Sequence, residues 1–403
     1  MNNAVVRACM LSFYFAPSYS GSAVQAKNLS LRLRERGVAP LIVSANLTQS
    51  PKQDLVDDLP HFRLPVCKRN DLQIPSFWLS LVWFLLRKRH SIDIIHAHGT
   101  FPHAIASLVG RWLGKPTILK IAMAHSDIAF HKHGRIWGRI NRFLVNRFDC
   151  YVATSAEVYQ ECVDRGLDAA CIHVIPNGVD TDVFYPAPSA ESRSESRRNL
   201  GLPNRPTVCY VGVIDARKNL DGILRVWKMV QDRTRMGQLV LIGPKPRGQE
   251  EVPGPFYQGL LKYVSDNGLS NSVTFAGQHP DVPSCLRSAD IFLFPSRREG
   301  MPNALLEAMA SGLACVASNI GGSSDLIRHG ENGYLFAVDD EVGMATAIEE
   351  LLRRPDHAAA MGTAARQTIV RQFSLKATAQ RYLELYAMLL KRSTSPLKRT
   401  HSD

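Results

Sequence analysis

At 403 residues the chain is too long for one compact core, which excludes a single small domain and points to two, while 45% hydrophobic and 21% charged residues are ordinary globular composition. A net charge of +12, from 48 Lys and Arg against 36 Asp and Glu, points to an anionic partner: a phosphorylated ligand, nucleic acid or an acidic membrane surface. The eight cysteines form no C-x-x-C pair and no metal-type spacing, so they read as reduced core residues of a cytoplasmic protein.

The opening MNNAVVRACMLSFYFAPSYSG lacks a basic start, a long apolar stretch and a small-residue cleavage site, and reads as a first strand and loop rather than a signal peptide. Apolar runs of strand length then fall at 5–13, 39–45, 61–66, 92–97, 117–123, 149–155 and 171–175, with helical patterns between them. Within this half the longest apolar run, FWLSLVWFLL at 77–86, is about half of what a bilayer span needs. It ends in the basic cluster RKRH. The segment HKHGRIWGRINRFLVNRF (131–148) likewise interleaves Arg135, Arg139, Arg142 and Arg147 with Trp137, Ile140 and Phe143, a pattern that suits an anionic membrane interface as well as an ordinary half-buried helix.

Residues 187–201, APSAESRSESRRNLG, are polar and Ser-rich and have linker composition. Strands resume at 206–214, 239–243, 272–277, 291–296 and 314–318, and the chain closes on an amphipathic helix at 374–392 carrying Leu375, Ala379, Tyr382, Leu383, Tyr386 and Leu390 on one side. The alternation predicts two doubly wound, Rossmann-like α/β domains, 1–186 and 202–373, facing a cleft, with the final helix crossing back to the first.

REGMPNALLEAMASG (298–312) follows the strand run IFLFPS, so a strand, a tight loop and a helix are expected there, with Pro302 at the first helical position. The backbone N–H groups of Asn303, Ala304 and Leu305 have no partner within such a helix, which makes its start attractive to a phosphate. Two carboxylates flank that start, Glu299 in the loop and Glu307 within the helix.

This segment resembles the signature of the retaining glycosyltransferases of the GT-B fold, family 4. GVIDARKN (212–219), VIPNGVDTDVF (174–184), DIIHAHG (93–99), ASNIGGSSDLIRHGENGYLF (317–336) and RQFSL (371–375) agree with that family in order and spacing. The resemblance implies a nucleoside diphosphate sugar as donor and a saccharide as acceptor; with the segments 77–90 and 131–148 at a membrane, the expected acceptor is a lipid-linked saccharide in bacterial surface polysaccharide biosynthesis. It implies that Glu307 takes the ribose hydroxyls and that Glu299 reaches the transferred sugar. Asn303, Ala304 and Leu305 approach the diphosphate or sugar, and Gly300 leaves room for that approach. Arg217 and Lys218 neutralise the diphosphate and stabilise the charge on the leaving group. Many relatives carry an arginine directly after the glycine, where this chain has Val213; Arg217-Lys218 follows a second family pattern.

Gly21 and Ser22 resemble the family's glycine pair, in a loop over the diphosphate or acceptor, and His125 corresponds to a contact to the sugar hydroxyls. His98 falls at the end of a strand, either at the site edge or as a hydrogen-bonded structural histidine. The pairs His96/His98 and His131/His133 have no carboxylate or cysteine beside them, so no metal site and no cofactor are expected. Competing readings are a nucleotide-sugar epimerase or hydrolase of the same fold, or a catalytically silent sugar-nucleotide-binding protein. A dinucleotide oxidoreductase and a P-loop enzyme lack their glycine motifs here, and no nucleic-acid module is recognisable. The expected location is the cytoplasm, with docking at the inner face of the plasma membrane as a further expectation.

Overall fold

The computed structural model describes residues 5–16, 20–48, 50–99, 101–123, 135–245 and 254–394. They form two compact units, one of residues up to 178 together with those from 375 onward, the other of residues 179–374.

The first unit is built on strands β1 (Val6–Ser12), β2 (Val38–Asn46), β3 (Gln53–Val56), β4 (Leu59–Pro65), β5 (Ile94–His98), β6 (Thr117–Ile121), β7 (Cys150–Ala153) and β8 (Ile172–Val174), in the order β3-β4-β2-β1-β5-β6-β7-β8. All neighbours are parallel except β3, which runs antiparallel to β4. Asp57 and Asp58 join that pair with φ of 51° and 60°, the left-handed geometry a two-residue hairpin needs. One face of the sheet packs against the helices Asn70–Arg87, Ala106–Leu113, Arg135–Val145 and Ala156–Asp164 through Phe77, Leu81, Phe84, Leu144 and Val158. The other face packs on the helices Gly21–Arg34 and Leu375–Thr394 through Ala26, Leu29, Leu33, Ala379, Tyr382 and Leu385. In the last helix the expected Leu375 is buried, and Leu385 and Leu389 are buried where Leu383 and Leu390 are only half-buried, because the buried stripe advances by three and four residues from Tyr382.

The second unit has strands β9 (Thr207–Val211), β10 (Gln238–Ile242), β11 (Val273–Gly277), β12 (Ile291–Phe294), β13 (Ala314–Ser318) and β14 (Tyr334–Phe336), all parallel, in the order β11-β10-β9-β12-β13-β14. The chain leaves β9 for β10 on one side and arrives at β12 on the other, so the crevice at the carboxyl ends of β9 and β12 is the topological switch point where open α/β sheets bind ligands. In the first sheet β1 and β5 stand in the same relation.

Residues 187–201 are not a linker. Ala190–Asn199 is a helix capped by the Ser189 side chain, and it belongs to the second unit. Its hold comes from charge rather than from apolar burial: Arg193 and Arg197 both pair with Asp290, at 3.0 and 2.6 Å, and the Arg197 guanidinium also donates to the Ser288 carbonyl at 2.9 Å. The chain instead passes between units at 178–179 and 374–375.

Candidate active site

Beyond β9 the chain makes a short 3-10 turn, Ala216–Lys218, before the helix Leu220–Thr234. The Asp215 carboxylate caps this turn by accepting from the Arg217 and Lys218 amides at 2.8 and 3.3 Å. Those amides are therefore spent, and what the turn offers outward is its two cations. Arg217 is half exposed, with its guanidinium 3.7 Å from Asp215.

Lys218 turns the other way, to the loop after β12. Its Nζ pairs with Glu299 Oε1, and the buried Ser296 hydroxyl donates to that same oxygen at 2.8 Å. The two loops are further tied by the Arg297 amide donating to the Arg217 carbonyl at 3.1 Å and by the Arg297 guanidinium donating to Asn219 Oδ1 at 2.8 Å. Asn219 is buried and left-handed at φ 59°, which is why an asparagine rather than a larger side chain serves at this corner. Arg217, Lys218 and Glu299 are thus brought together at the switch point by adjacent strands. Ser296, Arg297, Asn219 and Asp215 escape the motif reading; the polar cluster Ser296-Arg297 in PSRREG was the available signal.

Pro302 sits one place ahead of the expected first helical position, with extended backbone at φ −78° and ψ 108°, and the helix is Asn303–Ala310. Its first returning amide is that of Leu306, on the Pro302 carbonyl at 3.2 Å, so the Ala304 and Leu305 amides face forward from the helix start. Gly300 and Met301 are buried under the start of the next helix, Gly321–Leu326. A Cβ on Gly322 would lie 2.2 Å from the Gly300 carbonyl oxygen and 2.7 Å from Met301 Cα. Glu307 lies in the second turn. Burial pushes its carboxyl up to about 8, and no hydrogen bond to it is made among the described residues.

At the carboxyl edge of β9, β10 and β11 a cavity of about 190 Å³ is lined by Ile214, Gly243, Lys245, Tyr257, Phe275 and Gln278. Tyr257 and Phe275 meet edge to face at 5.4 Å. Nothing in the motif reading singled this cavity out.

In the first unit Gly21 and Ser22 are not in a loop. They open the helix Gly21–Arg34, because Ser20 takes the cap, accepting from the Ala23 amide at 3.2 Å and meeting the Ser22 hydroxyl at 3.0 Å. His98 is the last residue of β5, buried, and neither ring nitrogen has a hydrogen-bond partner among the described residues. His125 lies outside the described residues, as do His131 and His133. Among the described residues no group of three or more His, Cys, Asp or Glu is placed to hold a metal ion.

A sheet whose switch point presents cations and a helix start is one that can take an anionic ligand, and comparison with known proteins gives the family. The family described as Glycosyltransferase Family 4 matches residues 19–183, and that described as Glycosyl transferases group 1 matches residues 192–368. The chain is 25% identical over 383 residues to the N-acetyl-alpha-D-glucosaminyl L-malate synthase of Bacillus anthracis, covering 93% of this chain and 96% of that one. It is 26% identical over 346 residues to an Escherichia coli UDP-Gal:alpha-D-GlcNAc-diphosphoundecaprenol alpha-1,3-galactosyltransferase, covering 83% and 86%. The crystal structure of Anabaena Alr3699/HepE in complex with UDP superposes with a TM-score of 0.78 at 20% identity, over 95% of this chain and all of that one. The chain belongs to the group 1 glycosyltransferases and has the GT-B fold.

Proposed function

We propose that the protein is a retaining glycosyltransferase that takes a sugar from a nucleoside diphosphate sugar, bound by the second unit, to a saccharide or lipid-linked saccharide acceptor, bound by the first, in the assembly of a bacterial surface polysaccharide. The observation that carries the donor reading is the convergence of Arg217, Lys218 and Glu299 at the β9/β12 switch point, next to the helix that holds Glu307. Arg217 and Lys218 meet the diphosphate, and their charge grows in value as negative charge builds on the leaving group. The Ala304 and Leu305 amides add neutral donors at the helix start, and Asn303 lines the same approach. Glu307 accepts from the ribose hydroxyls, and the base lies in the cavity walled by Tyr257 and Phe275. Glu299, fixed by Lys218 and Ser296, accepts from a hydroxyl of the transferred sugar. In the transfer the bond from the anomeric carbon to the phosphate oxygen breaks, the acceptor oxygen bonds to that carbon on the same face, and the acceptor's proton passes to the departing phosphate. His125 contacts the sugar. The cations do the work a divalent ion would do, so turnover should persist in a strong chelator; complete, metal-reversible loss in EDTA would refute that.

A lipid-linked acceptor is supported by the outer side of the first unit. Trp83 is 60% and Trp112 73% exposed, with Leu79, Trp137 and Phe143 also at the surface. Arg87 stacks 5.2 Å from the Trp83 ring and Arg147 3.4 Å from that of Phe143. Aromatic side chains interleaved with arginines suit an anionic bilayer surface. No helix among the described residues is long and apolar enough to cross a membrane, so docking from the cytoplasmic side is the form of association proposed. The E. coli relative is named for an acceptor linked to diphosphoundecaprenol. Incubation with a panel of sugar nucleotides and candidate acceptors, with the products' anomeric configuration read by NMR, tests the whole reading. Inverted product, or only epimerised or hydrolysed donor, would refute it.

A further inference from the structure

On the face of the first sheet that packs against the last helix, a row of polar side chains lies at the carboxyl edge. Ser12, His98 and Lys120 are register partners on β1, β5 and β6, and Met10, His96 and Ile118 form the row beneath. Lys120 is 4% exposed, and among the described residues no carboxylate lies within ion-pair distance of it. Its Nζ sits 5.9 Å from the Tyr382 ring. His96 stacks on His98 at 4.4 Å and contacts the Tyr386 hydroxyl through Nδ1 at 2.8 Å. His96 Nε2, both nitrogens of His98 and the Tyr382 hydroxyl are buried with no hydrogen-bond partner among the described residues.

An unpaired ammonium in such a place is destabilising, and each orphaned polar atom adds to that. Burial accordingly pushes the Lys120 amine down to about 7, with no acid among the described residues to offset it. Among the described residues Lys120 bears on His96 and His98 and lies by the Tyr382 ring, Tyr382 in turn neighbours Tyr386 and Cys150, and His103 is near enough to bear on His98; none is acidic near neutrality. The neutral histidines and the hydroxyls each offer a donor as well as an acceptor, while the one latent cation, Lys120, meets no group of opposite sign among the described residues. What satisfies it is a small group rich in acceptor oxygens and carrying negative charge.

We infer that Lys120 and His98, with the Tyr382 hydroxyl, form a binding site for an anionic group, a carboxylate or a phosphate, on the acceptor substrate. That the ligand belongs to the acceptor rests on the proposed function; that an anion binds there does not. Lys120 provides the charge and His98 a neutral N–H, and Tyr386 positions the histidine stack by holding His96. The site selects an acceptor with an acidic group close to the hydroxyl that receives the sugar.

The test is a set of thermal melts of the full chain in inorganic phosphate and in malonate, at constant ionic strength set with chloride. At least one anion should raise the melting temperature saturably, by roughly 2 °C or more, and the rise should persist in the Arg217→Ala/Lys218→Ala double variant, which reports on the donor site separately. Lys120→Met should abolish it. If that variant does not fold, His98→Leu serves in its place and should weaken the response about tenfold or more. Raising the pH from about 7 to 9 should also weaken it, as Lys120 loses its proton. A response to phosphate alone identifies a phosphoryl acceptor and one to malonate alone a carboxylate. No response to either anion, a response unchanged in Lys120→Met and His98→Leu, or one lost only in the Arg217/Lys218 variant would overturn the inference.

Discussion

Replacing Glu307 with glutamine should stabilise the fold at alkaline pH and do little in acid. The carboxyl titrates at about 8 in the folded protein against an ordinary 4.5, and burial is the cause. Below the unfolded value both states hold the proton and the group contributes nothing. Between the two values the unfolded chain has released its proton while the folded chain still binds one, so stability falls by about 1.4 kcal/mol per pH unit. Above the folded value the deficit is constant, at about 5 kcal/mol for the full shift, and about 2 kcal/mol once the residue's partial exposure is allowed for. Glutamine removes the titration and keeps the shape. Urea unfolding of both proteins near pH 5 and near pH 9 measures the difference, which should grow in favour of Glu307→Gln by about 2–4 kcal/mol between them. A difference that stays flat with pH refutes the burial of an ionisable carboxyl. A companion test follows from the same sign: hydroxyls donating to Glu307 lower its pKa, so nucleotide binding at neutral pH should release a proton, visible as a dependence of the calorimetric heat on buffer ionisation enthalpy.

Glu299→Ala should lower kcat by about two to three orders of magnitude with a small change in affinity for free nucleoside diphosphate, and Arg217→Ala should cost more in kcat than in binding; normal turnover at saturation in either variant would refute the assignment. Gly322→Ala should lower Tm and turnover together, since its Cβ meets the backbone of Gly300 and Met301 at 2.2 and 2.7 Å and neither is a side chain that can swing away, a cost of about 1–3 kcal/mol. The full chain should sediment with anionic vesicles at low salt, and Trp83→Ala with Trp112→Ala should reduce this; no sedimentation would favour a soluble acceptor.

Most of the parallel strands were legible because they are short apolar runs, several of them buried on both faces, such as VRACMLS and ACVAS. Strands β3 and β14 were not. QDLV is half exposed and turns on Asp57-Asp58 rather than on a glycine pair, and YLF is only three residues long. The helix at 190–199 was hidden for a related reason: its composition is that of a solvated segment, and its anchor is Asp290, 93 residues beyond Arg197, which no local pattern reveals.

The site divides along the same line. The spacing of Glu299 and Glu307 about one helix start is local and could be read. The pairing of Lys218 with Glu299 depends on β9 lying beside β12, and the clustering of His98, Lys120 and Tyr382 on β5, β6 and the last helix being packed together. Both are products of sheet order, which periodicity alone leaves open.

Calorimetric titration of UDP, GDP and ADP into the full chain and into Glu307→Ala tests the central claim most directly. The account predicts that one nucleoside diphosphate binds the parent chain well and that the variant binds it at least about tenfold more weakly, the loss of one set of hydrogen bonds to a charged acceptor. Binding of none of the three, or equal binding by Glu307→Ala, would contradict the placement of a sugar nucleotide on the second unit.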